Sequence, residues 1–153
     1  MAKKMKLIFE RGFELHADFL EKEAPVTTRL FWEQLPLDIN IAHCMSACHE
    51  IYSDDIPASA PIPEENLAHF GKIGDVASVS GNQSGYLTEL EKDKMTTLCF
   101  VYGPRQRFQG TVMQTNRATV FAKLTDDVKT IRKVGHDIRI HGIESLKMIG
   151  YEE

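Results

Sequence analysis

The sequence predicts an α+β protein, mainly β, in which an antiparallel sheet closes into a barrel and two helices cover its ends. Two observations carry this expectation. Period-two apolar patterning marks a hairpin at 5–20 with further strand signals along the chain, and apolar spacing marks helices at 24–35 and 126–141. The order reads hairpin, helix, long strand, loop, several strands, helix, final strand. Closure would remove the open edges that an antiparallel sheet otherwise exposes.

Residues 5–20 predict a hairpin. Met5, Leu7 and Phe9 alternate with Lys6, Ile8 and Glu10, and after Arg11-Gly12 the set Phe13, Leu15, Ala17 and Phe19 alternates with polar residues. Residues 24–35 predict a helix, with Pro25 at its first position, apolar pairs Val26/Leu30 and Phe31/Leu35, and Pro36 as the stop. Residues 38–52 fit two patterns. Ile41, Met45, Cys48 and Tyr52 recur at helical spacing, whereas His43, Met45, Ala47, His49 and Ile51 would share one face of a long strand. The prolines at 57, 61 and 63 make 53–72 a surface loop.

Strands are expected at 75–80, 96–102 and 119–124, with a turn at 81–85 and an exposed loop over 105–117. A second helix is expected over 126–141. Asp126 and Asp127 open it, Arg139 and His141 lie near its end, and Gly142 follows as the C-cap. Gly135 inside it costs roughly 1 kcal/mol against alanine, which marks a place where the helix would break. A short strand over 143–149 ends the chain.

One domain over 1–153 accommodates this order, since 153 residues bury a core without staples. Apolar residues make up 42% and charged residues 26%, a globular balance. A net charge of −4 with both signs interspersed argues against a nucleic-acid binder. Leu7, Ile8 and Phe9 are cut off by Glu10, so neither a signal peptide nor a membrane span is expected, and a cytoplasmic location is. Cys44, Cys48 and Cys99 are then reduced thiols rather than a disulfide framework.

The element order resembles the cyclophilin fold, and more closely the bacterial cyclophilin-like family numbered 3830 among domains of unknown function. Four stretches carry the likeness. They are Ala24-Pro25-Val26-Thr27-Thr28 through Pro36-Leu37, Ala42-His43 through Tyr52, Glu65-Asn66 with Gly74-Asp75-Val76, and Leu98 to Gly103 followed by Asn116 to Val120. The resemblance implies a cyclophilin-like closed barrel capped by two helices, and it favours the strand reading of 38–52. Cyclophilin prolyl isomerases use an arginine on the third strand. Here that strand reads His43-Cys44-Met45-Ser46-Ala47-Cys48-His49 without one, and the lone Trp32 lies on the first helix, so isomerase activity is discounted.

The His43-Cys44…Cys48-His49 cluster has the residue types of a metal site. On one strand rising ~3.3 Å per residue, however, the two histidines would lie about 20 Å apart, beyond any shared ion. On a helix Cys44 and Cys48 would be neighbours and a site with His49 becomes possible, so the metal reading depends on the helical pattern. On the strand reading no metal is expected, and with no P-loop or dinucleotide fingerprint no cofactor is expected either. Cys48 and His49, being adjacent, would point to opposite faces and make no nucleophile–base pair.

If the barrel closes as in cyclophilins, the 42–52 and 114–121 segments border one cleft. The candidate site follows from that placement. His43 would act as acid or base and Arg117 as a forked anion anchor; Asn116, His49 and Tyr52 would contact the ligand. The expected function is a small-molecule pocket, acting as a hydrolase, lyase or isomerase on a small polar or carboxylate-bearing metabolite. The alternative is a non-catalytic ligand-binding or assembly subunit. The expected partner is a small molecule, with neither nucleic acid nor membrane, and the long loops leave room for a homo-oligomer.

Overall fold

The computed structural model describes residues 1–44, 49–57, 60, 62–80, 95–104, 106–108 and 117–153. Its strands are β1 (Lys3–Phe9), β2 (Glu14–Phe19), β3 (Leu37–His43), β4 (Glu50–Pro57), β5 (Leu67–Ala68), β6 (Phe70–Gly71), β7 (Asp75–Ser80), β8 (Met95–Val101), β9 (Gln106–Arg107), β10 (Ala118–Leu124) and β11 (Glu144–Glu152). The helices are α1 (Pro25–Trp32) and α2 (Val128–His141). Eight strands run in the order β2-β1-β11-β3-β4-β8-β7-β10, and β10 pairs back onto β2. Every pairing around this ring is antiparallel, so the sheet is a closed barrel.

The connectivity assigns a helix to each end. α1 joins the end of β2 to the start of β3, and α2 joins the end of β10 to the start of β11. Alternating directions place these two junctions at opposite mouths of the barrel. The α1 mouth is apolar. Phe31 stacks on Phe121 at 4.3 Å, and Phe19 meets the edge of Trp32 at 5.9 Å. Ala24 gives α1 no side-chain cap, so distant Glu65 accepts from the backbone N–H of Val26 (3.1 Å) and Thr27 (2.9 Å). At the α2 mouth, Asp127 caps the helix by accepting from Thr130 N–H at 2.7 Å. Arg11 of the β1–β2 turn reaches Asp137 (2.8 Å), the Gly142 carbonyl (2.8 Å) and Glu144 (2.7 Å). Its single Nε–H aligns with Asp137, so Glu144 is held by charge rather than by an aligned hydrogen bond. Burial raises the Glu144 carboxyl, and Arg11 opposes that shift.

The hairpin expectation holds. Met5, Leu7, Phe9, Leu15, Ala17 and Phe19 all face the core. α1 starts at Pro25 as expected, yet Val26 is 38% exposed and does not share the burial of Leu30. Two expectations fail. The 38–52 segment is not one long strand, because β3 ends at His43 and β4 returns antiparallel, with His43 opposite Ile51. Nor does the second helix break at Gly135, for α2 is continuous through it. The expected 53–72 loop is partly strand: β4 runs to Pro57, and β5 and β6 fall inside it. The 81–85 turn and 109–116 lie outside the described residues. Among the described residues, no helix is long and apolar enough to cross a membrane.

Candidate functional site

Alternation along the strands sorts the residues near the β3–β4 reversal onto two faces of the wall. Ile51, Phe100 and Ile41 point into the barrel. His43 is level with Ile51, and Tyr102 lies two residues past Phe100, so both project into the α2 mouth. Val101, Cys99 and Tyr52 belong to the outer face, where a second apolar cluster gathers around Phe108. Glu50 opposes Val101 and shares that face.

Inside the mouth, three histidines surround one tyrosine. The His43, His49 and His136 rings stand edge-on to the Tyr102 ring, at 5.6, 5.5 and 5.8 Å between centroids. Tyr102 is 1% exposed and packs directly against α2. A methyl group at Gly135 would overlap its ring, and this close approach is why a helix interior carries glycine here. Gly103 has the same function beside the His49 ring.

Backbone acceptors choose the tautomers. His43 Nδ1 lies 2.9 Å from the Cys44 carbonyl, so Nδ1 carries the proton and Nε2 accepts from the Tyr102 hydroxyl at 2.6 Å. Burial holds the His43 pKa below its ordinary 6.5, and the positive fields of Arg139, His49 and His136 add to that, against the hydrogen bond to Cys44. His43 is therefore neutral at pH 7, with both nitrogens engaged. His49 donates from Nδ1 to the Pro104 carbonyl at 2.7 Å, which leaves the lone pair on Nε2.

On the outer face, the Glu50 carboxyl is buried beneath Gln106. The Gln106 amide donates to Glu50 (3.1 Å) and to the Arg107 carbonyl (3.0 Å), while its oxygen accepts from His49 N–H (2.9 Å). Burial pushes the Glu50 pKa up, and hydrogen bonds from the Cys99 and Cys44 thiols pull against it. Glu50, Gln106 and the His49 backbone thus form one chain of hydrogen bonds linking the two faces of the wall.

The sequence-derived site is dispersed. His43 and His49 come together at Tyr102, rather than lying about 20 Å apart as one extended strand would require. Arg117 does not join them. It precedes β10, on the far side of the barrel and at the α1 mouth, where it pairs with Glu64 at 3.0 Å, both half-exposed. Tyr52 faces outward, away from the histidines. Asn116 and Cys48 lie outside the described residues. Among the described residues, no group of three or more His, Cys, Asp or Glu side chains is arranged to hold a metal ion. Tyr102, His136, Glu50 and Gln106 were not anticipated. Gly135 was the available signal, since a glycine inside a helix marks a close neighbour as readily as a break.

A family model described as a protein of unknown function, DUF3830, matches residues 7–149. The chain belongs to the DUF3830 family. No curated protein matches it significantly. Solved structures share the family member's fold at low identity. The Mimivirus cyclophilin is 12% identical with a TM-score of 0.62, over 99% of this chain and 90% of that one. A hypothetical protein of Archaeoglobus fulgidus is 18% identical with a TM-score of 0.56, over 97% and 94%. A cyclophilin-type peptidyl-prolyl cis-trans isomerase of Cryptosporidium parvum is 11% identical with a TM-score of 0.55, over 100% and 99%. The barrel is cyclophilin-like, and at these identities the likeness concerns the fold alone.

Proposed function

We propose that this chain binds a small carboxylate-bearing metabolite at the α2 mouth and acts on it through His49. The supporting observation is the convergence of three imidazoles on buried Tyr102, with Arg139 close enough to lower the His43 pKa. His49 is the acid–base group of this reading, because its Nε2 keeps a lone pair while Nδ1 is tied to the backbone. His43 has both nitrogens occupied, so it positions Tyr102 rather than meeting the ligand. The anion anchor moves from Arg117 to Arg139 and His136, which are exposed on α2. Prolyl isomerase activity remains disfavoured, since β3 and β4 carry no arginine.

Histidine ring resonances followed by NMR during titration with a panel of small mono- and dicarboxylates test this reading. Shifts at His49 and His136 that disappear in Arg139→Gln support it. If no carboxylate moves either ring, the site is wrong. A ligand that binds and returns chemically unchanged, in wild type and His49→Gln alike, favours the non-catalytic subunit.

A further inference from the structure

Four cations of the barrel wall meet carboxylates, although Lys147 on β11 has none within ion-pair distance among the described residues. Lys3 meets Glu21 at 2.7 Å, Lys4 meets Asp18 at 3.0 Å, Lys6 meets Glu14 at 3.2 Å and Lys123 meets Asp75 at 2.8 Å. The outward side of α2 is built differently. Lys129, Arg132 and Lys133 have no carboxylate within ion-pair distance among the described residues. The helix has one acid of its own, Asp137, which Arg11 of the hairpin turn occupies. The N-cap Asp127, committed to Thr130 N–H, feels Lys129 and Lys133 without forming an ion pair with either. Lys129 and Lys133 are four apart, the spacing at which like charges repel along a helix.

Apolar side chains accompany this charge. At ~100° per residue, Lys129, Lys133 and Ile140 fall on one line, opposite the buried Ile131, Val134 and Ile138. Ile140 is 72% exposed, and Ile143 just beyond the helix is 63% exposed. A purely solvated face needs no branched aliphatic residues at its end.

We infer that this stripe docks an acidic segment of a partner protein, one that places an aliphatic side chain against Ile140. Charge complementarity selects an anionic partner. The remaining observations select a protein. Two exposed isoleucines offer a phosphate backbone nothing, whereas an aliphatic side chain of a protein segment can pack on them. The main apolar face of α2 is buried in the barrel, which leaves too little apolar surface to enter a bilayer. The stripe is about 20 Å long at ~1.5 Å per residue, so a partner helix of similar length would cover it. His136 of the proposed ligand site lies on the same line between Lys133 and Ile140, so a docked segment would pass over that site. The substitutions below leave His136, Arg139 and His49 unchanged, which keeps the two readings distinguishable.

Fluorescence anisotropy on the full chain tests this with labelled peptides of about fourteen residues, the span of the stripe. One peptide carries glutamates with a leucine at every fourth position; a control has the same charge with serine for leucine. The leucine peptide is expected to bind about fivefold tighter at low salt, and both should weaken as salt rises. Lys129→Glu with Lys133→Glu should weaken the leucine peptide about tenfold or more, and the milder Lys129→Gln with Lys133→Gln should fall between. Ile140→Ser should erase the difference between the peptides. Circular dichroism on each variant confirms that α2 is folded. Equal binding of the two peptides overturns the inference, as does charge reversal without effect. Tighter binding of a single-stranded RNA of matched length, or of phosphatidylserine-containing vesicles, also overturns it.

Discussion

The two mouths of the barrel are closed by opposite chemistry. At the α1 mouth, aromatic rings fill the opening, and charge enters mainly where Glu65 caps the helix. At the α2 mouth, a phenol, three imidazoles and, one layer outward, a buried carboxyl occupy the equivalent space. Apolar packing is non-directional and tolerates small adjustments. Buried polar groups need partners, and around Tyr102 the α2 mouth supplies them through hydrogen bonds from the Tyr102 hydroxyl to His43 and from His49 through Gln106 to Glu50, while buried Glu144 relies on the charge of Arg11. One mouth supplies stability and the other accepts a cost in stability for polar chemistry.

Four variants would sharpen or break that contrast. The largest effect is expected at the apolar mouth. Phe121→Ala removes the ring stacked on Phe31 and should cost about 3–5 kcal/mol in urea unfolding. A loss below about 1 kcal/mol would show that the aromatic stack is not what holds this mouth. At the polar mouth, Gly135→Ala gains helix propensity but drives a methyl into Tyr102. A net destabilisation of about 1–3 kcal/mol is expected, and a stabilised variant would refute the close packing of α2 on the tyrosine.

The pH dependence separates the mouths further. The Glu50 carboxyl titrates above its ordinary 4.5 in the folded chain, so the folded state holds this proton more tightly. Its contribution is fully present below 4.5 and declines as pH rises through the folded value. Glu50→Gln should remove that decline and stabilise the chain at pH 8 by on the order of 1 kcal/mol. His43 has the opposite sign. Its folded pKa lies below 6.5, so the unfolded chain takes the proton first, and stability present above 6.5 falls as pH drops toward the folded value. Unfolding midpoints across pH 4–9 test both, and Phe121→Ala should leave both slopes intact. The smallest effect belongs to Tyr102→Phe, which deletes the hydroxyl donor to His43. It should cost about 0.5–1.5 kcal/mol and alter the His43 titration measured by NMR.

Legibility differed between the mouths for a physical reason. The elements leading to the α1 mouth follow one another in the chain: the two hairpin strands alternate cleanly and Pro25 opens the helix that follows, while Phe121 and Glu65 complete that mouth from distant positions. The α2 mouth depends on a reversal between His43 and Glu50 that carries no glycine, proline or asparagine. Helical spacing and alternation both continue across it, and the family resemblance favours one strand where the chain doubles back. That single misreading separated the histidines on paper. Arg117 is the apparent anchor only if 42–52 and 114–121 border one cleft as the cyclophilin resemblance implies, whereas ring order and strand direction put it at the other mouth.

By itself the sequence determined the opening hairpin, both helices, the strands near 75–80, 96–102 and 119–124 and most of their apolar faces, because these follow from local periodicity and from capping and turn residues close in the chain. It also carried the family, through the order of those elements. Only the tertiary structure decided that His43, His49 and His136 meet at Tyr102, that Gly135 is a seat rather than a break, and that Glu50 lies buried under Gln106. These are contacts between residues dozens of positions apart. They are settled by the closure of the ring and by the side of the barrel on which each strand lies, which local spacing does not encode.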